Sequence, residues 1–521
     1  MRLVVASEMR EIDHHAIEIM GIPSLVLMEN AGLKTLMTIE KAFSGLQDKR
    51  FTIVCGKGNN GGDGLVIARH LFNNRVALDV FVLSEPDALS IDAKTNLKIL
   101  QKSGFNPIFV TTQEDLDELR VALEFSNIVI DAIFGTGFSG QIQGIACEAV
   151  EIINESRAKV VSLDIPSGIC ATTGHVSQPS IRADVTVTFG LPKVGLYLYP
   201  GCEFTGEVWI GDIGIPNVST ESISGSTFLL TTQMASSLLP ARSDFSHKGA
   251  FGHLLILAGS TNYHGAGVLC TYGALRSGAG LVTLGIPEAI SEKFLCDILP
   301  ETIIKSFPSD REGFAINENH VNDLSGRYRA IVAGPGWGGG GKRRCSVTAL
   351  LKNWCGPLLL DADALNAIED PSIFSDFKGE LIITPHPGEM AKLTGKNISA
   401  ILEDPVQIAR EFVSKFPCRL VLKGATTVIA FPDSRIILCS RPNSGLARGG
   451  SGDLLAGLIG GLMTQGLSSQ TATIVGTFLH SEAASIAREE IGADSMTVSE
   501  IASKLPKAFK NLRGVIPSRV P

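Results

Sequence analysis

The stretch GKGNNGGDG, Gly56 to Gly64, follows the apolar run FTIVC, Phe51 to Cys55, and leads into LVIARHLF, whose pattern predicts a helix. Glycine reaches positive φ without strain and lets other atoms approach the backbone, and Asn and Asp tolerate the same region. The stretch therefore reads as a tight turn between a strand and a helix start, where exposed backbone N–H groups favour an anion. A merely flexible connection would use the same glycines, so the reading depends on what surrounds it.

On either side of this stretch the chain alternates between short apolar runs and helical segments. The runs FTIVC, VALDVFVL (Val76–Leu83), IVIDAIF (Ile128–Phe134), KVVSLDI (Lys159–Ile165) and DVTVTFG (Asp184–Gly190) predict a mostly parallel sheet covered on both faces. Ahead of them, Ser7 is expected to cap a helix reaching Met20, and Pro23-Ser24 to open a second one. NVSTESISGSTFLL, Asn217 to Leu230, is Ser/Thr-rich and breaks the rhythm, which marks a domain boundary. The alternation then resumes with HLLILAG (His253–Gly259), LVTLGI (Leu281–Ile286), RAIVAG (Arg329–Gly334), PLLLDAD (Pro357–Asp363), ELIITP (Glu380–Pro385) and RLVLKG (Arg419–Gly424). Two α/β domains are expected, at residues 1–220 and 228–516, with WGGGG (Trp337–Gly341) as a mobile loop.

Composition agrees with this. A chain of 521 residues exceeds what one hydrophobic core usually serves. With 44% hydrophobic and 19% charged residues there is ample apolar material and no sign of disorder. A net charge of −8, no long basic run and only 3 Trp and 5 Tyr argue against a nucleic-acid surface. The 10 cysteines contain no CxxC pair, so neither zinc nor a disulfide framework is indicated, and most are expected to be buried small hydrophobes. MRLVVASEMREIDHH, Met1 to His15, resembles neither a secretory signal nor a transit peptide, so a cytoplasmic location is expected. LLAGLIGGLM, Leu454 to Met463, has about half of the roughly 20 residues a membrane helix requires and reads as a buried helix.

Ligands of open parallel sheets gather at the carboxyl ends of the strands. In the first half these ends carry GKGNNGGDG, then Asp131 with GTGFSGQ, then Asp164 and Ser167 in LDIPSG. A carboxylate there also suits a helix cap or turn. Oxygens of Asn60, Asp131 and Ser167 suit a hard cation, although spacing alone does not establish one. In the second half, NSGLARGGSGDLLAGLIGG (Asn443–Gly461) places Gly449, Gly450, Ser451 and Gly452 ahead of Asp453 at a helix start. Bare N–H groups there can stabilise a transferring phosphoryl group while the aspartate takes the proton of an attacking hydroxyl, or Asp453 simply caps the helix. LKGATTVIA (Leu422–Ala430) adds a cation and hydroxyls suited to phosphate. TPHPGE holds His386 between prolines, and Asp361 and Asp363 in LLLDADALN could serve magnesium or cap a helix. His14 and His15 are given no role.

GIPSLVLMENAG, GKGNNGGDG, DAIFGTGFSG and SLDIPSG, in this order, resemble the epimerase domain of bifunctional NAD(P)H-hydrate repair enzymes. FSHKGAFGHLLILAGS, GPGWG, DADALN, TPHPGEM, LKGATTVIA and GGSGDLLAG resemble the ADP- or ATP-dependent dehydratase domain of the same family. The resemblance implies two three-layer α/β/α domains, the first Rossmann-like and the second ribokinase-like. It implies epimerisation of the two hydrate forms, then phosphorylation of the S form's hydroxyl and loss of phosphate. For the first domain, the residues implied at the hydrated dinucleotide are Asn59, Asn60, Gly61, Gly62 and Asp63, with Gly135, Thr136, Gly137, Phe138, Ser139, Gly140 and Gln141. Asp164 is implied as the acid–base residue, and Asn60, Asp131 and Ser167 as potassium ligands. For the second, Gly252, Gly336, His386 and Asp453 are implied at the hydrate, Asp453 as base, and Lys423, Gly424, Ala425, Thr426, Thr427 and Gly452 at the nucleotide, with magnesium as a further cofactor. It also implies a homo-oligomer, a tetramer or larger, with small molecules as the only other partners, neither nucleic acid nor membrane.

Ser444, Arg448 and Trp337 depart from the family's commoner residues, and Arg448 is expected to add a cation beside the anion loop. A small-molecule kinase would share the second glycine loop, and a non-catalytic sensor would share both. The first-half motifs speak against the kinase, and a carboxylate at each reacting position speaks against the sensor.

Overall fold

The computed structural model describes residues 1–223, 225–291, 299–310, 313–339 and 342–515. Cys296, Gly340, Gly341 and the expected domain end at 516 lie outside the described residues. The chain forms two compact units, Arg2–Thr227 and Met1 with Phe228–Pro521.

In the first unit the five apolar runs become strands of a seven-stranded parallel sheet, β1 (Arg50–Cys55), β2 (Ala77–Val82), β4 (Ile128–Ala132), β5 (Lys159–Leu163) and β6 (Val185–Phe189), joined by β3 (Ile108–Phe109) and β7 (Glu207–Gly211), which no run foretold. Their order is β3-β2-β1-β4-β5-β6-β7. The helices are α1 (Ala6–His14), α2 (Ser24–Ala42), α3 (Asn59–Asn73), α4 (Ile91–Lys102), α5 (Gln113–Phe125) and α6 (Ile145–Glu155). Side chains alternate across a strand, and both faces are covered: Ile53 and Cys55 join a core with Leu27, Leu65 and Leu97, while Val54 joins another with Leu119 and Val150. The chain steps outward from β1 to β3 and then returns to β4 on the other side of β1. That reversal opens a crevice at the carboxyl ends of β1 and β4, where such sheets bind ligands.

The second unit repeats this plan with β8 (His253–Leu257), β9 (Leu281–Pro287), β10 (Ile303–Phe307), β11 (Ala330–Ala333), β12 (Leu358–Leu360), β13 (Leu381–Ile383), β14 (Cys418–Leu422), β15 (Thr426–Ala430) and β16 (Ile436–Ser440). They run in the order β16-β15-β14-β13-β12-β11-β8-β9-β10, parallel from β14 to β10 and antiparallel at β14/β15 and β15/β16. The reversal point here lies between β8 and β11. Helices α7 (His264–Ser277), α8 (Arg343–Asn353), α9 (Pro387–Thr394), α10 (Pro405–Lys415), α11 (Ser451–Thr464), α12 (Ser469–Ile491) and α13 (Val498–Gly514) complete it.

Several expectations change. Ser7 does not cap α1, which begins one residue earlier: Glu8 accepts the Val5 N–H at 2.9 Å, and a π turn over His15–Ile19 follows the helix. Strand β7 was not expected, because EVWIG is a half-exposed edge strand and not a continuous apolar run. Of the nine cysteines among the described residues only four are buried, and Cys345 and Cys355 are exposed. Trp337 is no part of a mobile loop, being buried against Phe314 with its indole N–H on the Leu257 carbonyl at 2.7 Å. Leu454–Met463 is buried as expected, and among the described residues no helix is long and apolar enough to cross a membrane.

Glycines let α7 and α11 cross in near contact: a Cβ on Gly457 would lie 1.8 Å from the Cys270 carbonyl oxygen, and one on Gly273 2.2 Å from that of Leu454. Gly457→Ala is therefore expected to cost about 1–3 kcal/mol, seen calorimetrically as a lower unfolding temperature for the second unit. An unchanged transition would contradict the close crossing.

Candidate functional site

In the first unit the glycine stretch is less a turn than the opening of α3, which starts at Asn59, six residues ahead of the expected LVIARHLF. Its glycines serve close approach and not positive φ, since none of the five takes that conformation. A Cβ on Gly56 would lie 2.0 Å from the Ile133 carbonyl oxygen, one on Gly61 1.9 Å from that of Gly56, and one on Gly64 2.7 Å from Cys55 Sγ. The first turn of α3 is thereby pressed onto the ends of β1 and β4.

Asp131, at the end of β4, is fully buried. Its Oδ2 accepts from Ser162 Oγ at 2.8 Å and Ser167 N at 2.9 Å, and its Oδ1 from Ser167 Oγ at 2.5 Å. Burial raises its pKa, and these donors oppose the rise. Asn60 donates to the Phe134 carbonyl at 2.9 Å, while its Oδ1 is buried without a partner. The Phe134 N–H in turn reaches Ser167 Oγ at 2.9 Å. Asn60, Asp131 and Ser167 therefore meet in one oxygen-rich corner, with one amide oxygen left open.

Asp164 follows β5 at φ 65°, a strained conformation for a residue with a side chain. Its Oδ2 accepts the Thr136 N–H at 3.3 Å, which ties it to the Gly135–Gln141 loop, and its Oδ1 accepts from Lys193. Lys193 is itself buried, donating also to Thr188 Oγ1 at 3.2 Å and to the Phe189 carbonyl at 2.8 Å. Sequence reasoning missed this lysine; the available signal was a lone cation in the otherwise apolar FGLPKVGLY. Asp63 is buried nearby, its pKa raised well above the usual range by burial and by the charge of Asp164. Asn59 is exposed and accepts from Ser90 Oγ at 2.7 Å. Gly137, Ser139, Gly140 and Gln141 are exposed at the rim, Gln141 accepting from Ser177 Oγ at 3.1 Å, and Phe138 packs on Phe134.

In the second unit, Asp361, Thr384–His386 and Lys423 follow β12, β13 and β14, so all lie at carboxyl ends. Lys423 Nζ donates to the buried Asp361 at 2.7 Å. Burial pulls the Lys423 ammonium down, but Asp361 and Glu389 more than restore it. A Cβ on Gly452 would sit 3.1 Å from Lys423 Nζ, so the start of α11 borders this pair. Asp453, in the first turn of α11, has its pKa raised to about 7 by burial first and then by Asp361. Asp363 accepts the Gly338 N–H at 2.9 Å. Gly424 and Ala425 form the exposed turn between β14 and β15, while Thr426 is buried and Thr427 half-buried at the start of β15.

His386 caps α9: its Nδ1 accepts from Gly388 N at 3.0 Å and Glu389 N at 3.3 Å, so the helix start accounts for its place between prolines, and Nε2 of the exposed ring stands 3.4 Å from Glu389 Oε1. Gly336, at φ 62°, packs against Tyr263 and Ala266 at the start of α7. Gly252 is not brought to this place. It precedes β8 and lies against the Thr464 carbonyl, at the opposite end of α11 from Asp453, about 16 Å away at 1.5 Å per residue. Arg448 points away from the glycine loop, onto the carbonyls of Ala493 and Asp494. Ser444 is exposed in the turn before that loop.

Residues 24–195 match the family model described as YjeF-related protein N-terminus, and residues 254–507 the one described as NAD(P)H-hydrate dehydratase. The bifunctional NAD(P)H-hydrate repair enzyme of Moorella thermoacetica is 40% identical over 98% of this chain and 97% of its own. That of Thermofilum pendens is 37% identical over 98% of this chain and 97% of its own. A crystal structure of the ADP/ATP-dependent NAD(P)H-hydrate dehydratase from Bacillus subtilis, co-crystallised with ATP/Mg2+, is 32% identical, covering 55% of this chain and 98% of its own with a TM-score of 0.49. With such identity spanning nearly the whole of both chains, this chain belongs to the family of bifunctional NAD(P)H-hydrate repair enzymes.

Proposed function

We propose that the two units repair hydrated NADH and NADPH in succession, the first interconverting the R and S forms and the second dehydrating the S form at the expense of ADP or ATP. The observation that carries the reading is Asp453, a carboxylate with its pKa near neutrality in the first turn of a glycine-opened helix, beside the Lys423–Asp361 pair.

In the second unit Asp453 takes the proton of the substrate hydroxyl as its oxygen attacks the terminal phosphoryl group of the nucleotide. The P–O bond to the nucleotide breaks while the new one forms. N–H groups of the Gly449–Gly452 turn and the Lys423 ammonium face the charge that develops on the phosphoryl oxygens. Phosphate then leaves with its C–O electron pair, a proton is lost from the neighbouring ring carbon, and the double bond of the reduced nicotinamide is restored. Phosphate leaves far more readily than hydroxide. Gly424, Ala425, Thr426 and Thr427 line the nucleotide side with Lys423, while Gly336 and the exposed His386 imidazole face the hydrate. Magnesium, when bound with the nucleotide, neutralises part of the phosphate charge.

In the first unit, epimerisation requires the carbon–oxygen bond to break and re-form on the other face. Asp164 exchanges a proton with the departing and returning oxygen, and Lys193 fixes the carboxylate in place. The α3 opening and the Gly135–Gln141 loop hold the dinucleotide. The open oxygen of Asn60, with the charge of Asp131 and the hydroxyl of Ser167, suits potassium, a hard cation that supplies a fixed positive charge at this crevice. A homo-oligomer goes with this reading and is checked by light scattering.

The test follows the absorbance of reduced nicotinamide as mixed hydrates of NADH are incubated with the chain, adenine nucleotide, magnesium and potassium. Asp453→Asn is expected to abolish dehydration and leave epimerisation, whereas Asp164→Asn should leave about half of a mixed hydrate unrepaired for want of epimerisation. Nucleotide consumed without reappearance of reduced coenzyme would point to a kinase instead. Because Asp453 must be ionised to act as base, the dehydration rate is expected to fall as pH drops through about 7 and to level off above it; a flat profile from pH 5 to 9 would remove Asp453 from that role.

A further inference from the structure

Glu389 stands in the first turn of α9, just after the capping His386, and is only 4% exposed. Its Oε2 accepts the His386 backbone N–H at 2.8 Å, while its Oε1 lies 3.4 Å from Nε2 of the same residue's ring. The first contact is half of a capping box, which is all that a helix start asks of a glutamate at this position. Such a glutamate caps equally well in water, whereas burying a carboxylate is costly. Burial raises the Glu389 pKa, and the charge of Lys423 opposes the rise. The depth of the carboxylate and the place of its second oxygen are left unexplained by the cap.

Both nitrogens of the ring meet groups that favour the same form. Nδ1 accepts from the Gly388 and Glu389 amides at 3.0 and 3.3 Å, so it carries a lone pair and the proton of the neutral imidazole is on Nε2. A carboxylate oxygen beside Nε2 favours that placement too, because two acceptors would repel each other. Burial first, and then the Lys423 charge, lowers the His386 pKa, which keeps the ring neutral. Gly388 gives the ring its room, since a Cβ there would lie 2.8 Å from His386 Cε1. The clasp stands at the carboxyl end of β13, where the Lys423 N–H bonds the Pro385 carbonyl at 2.9 Å.

We propose that Glu389 is a positioning residue for the hydrate, clasping His386 by backbone and ring so that the Nε2–H is held ready for an acceptor oxygen of the hydrated nicotinamide. This rests on the reading of His386 as a hydrate contact. A donor fixed before binding loses less freedom when the ligand arrives, so the clasp acts on affinity for the hydrate and not on phosphoryl transfer.

The experiment compares Glu389→Gln and Glu389→Ala in the full chain, at a pH well above the Asp453 titration at about 7, so that the altered charge near that base does not enter kcat. Glutamine preserves the capping box, but with its oxygen on the His386 N–H it turns an NH2 group toward Nε2–H, donor against donor. Glu389→Gln is therefore expected to raise KM for the S hydrate about fivefold with kcat and the unfolding temperature of the second unit unchanged, whereas Glu389→Ala lowers that temperature as well. His386→Ala should raise KM at least as far, and adding Glu389→Gln to it should cost nothing more. A wild-type KM in Glu389→Gln, a fully additive rise in the double variant, or a Glu389→Gln that unfolds as early as Glu389→Ala would each overturn the proposal. Nitrogen NMR of the histidine side chains in the unsubstituted chain, with His386 assigned by its loss in His386→Ala, checks the clasp independently: a proton on Nε2 alone is expected at neutral pH, and one on Nδ1 contradicts it. His386→Ala also separates the two ideas. An unchanged KM there removes His386 from the hydrate and this inference with it; a raised KM there beside an unaffected Glu389→Gln sinks this inference alone.

Discussion

The closeness with which two helices approach the ends of the parallel strands is the constraint on which both sites depend. Gly61 sits against the Gly56 carbonyl at the end of β1 and Gly460 against the Val332 side chain of β11, at separations that leave no room for a Cβ. Helix α3 and helix α11 are thereby brought down onto their sheets until their first turns stand beside the strand-end carboxylates. Backbone N–H groups at a helix start attract anions, and buried carboxylates hold protons more tightly; set side by side they form a place for a phosphorylated substrate and a group to move its proton. The glycines are thus structural first, and the chemistry follows from the proximity they allow.

Each unit also contains a lysine paired with a strand-end aspartate, Lys193 with Asp164 and Lys423 with Asp361. The pairs differ in use. Lys193 holds the proposed acid–base residue itself, whereas Lys423 pairs with a neighbour and offsets only part of the rise at Asp453, whose pKa stands near neutrality. One arrangement fixes a carboxylate; the other makes a second carboxylate basic. Non-glycine residues at positive φ mark both places, Asp164 in one and Ala362, next to Asp361, in the other, as though backbone strain were accepted where side chains must be aimed.

Much of this was legible in the sequence. Strands such as FTIVC and HLLILAG are continuous apolar runs because both faces of their sheets are covered, and the motifs at their ends fell where a doubly wound sheet gathers them. What was not legible has identifiable causes. The start of α3 was hidden because glycine and asparagine have low helix propensity, overridden here by packing on β1 and β4. Lys193 shows locally only as a lone cation in an apolar stretch, and its role comes from a fold contact with a residue 29 positions away. Gly252 was drawn to the wrong end of its strand because a motif fixes order along the chain and not which edge of the sheet a residue meets. Trp337 read as part of a loose glycine run, although its indole is buried and hydrogen-bonded.

The central claim is that each unit aims one carboxylate at the reacting carbon of a hydrated coenzyme. A crystal structure of the chain with hydrated NADH and a non-hydrolysable adenine nucleotide tests it most directly. The account predicts one dinucleotide ring beside Asp164 and Lys193, and another beside Asp453 with the nucleotide phosphates between Lys423 and Gly452. Dinucleotide bound in either unit with its ring remote from these carboxylates would contradict it.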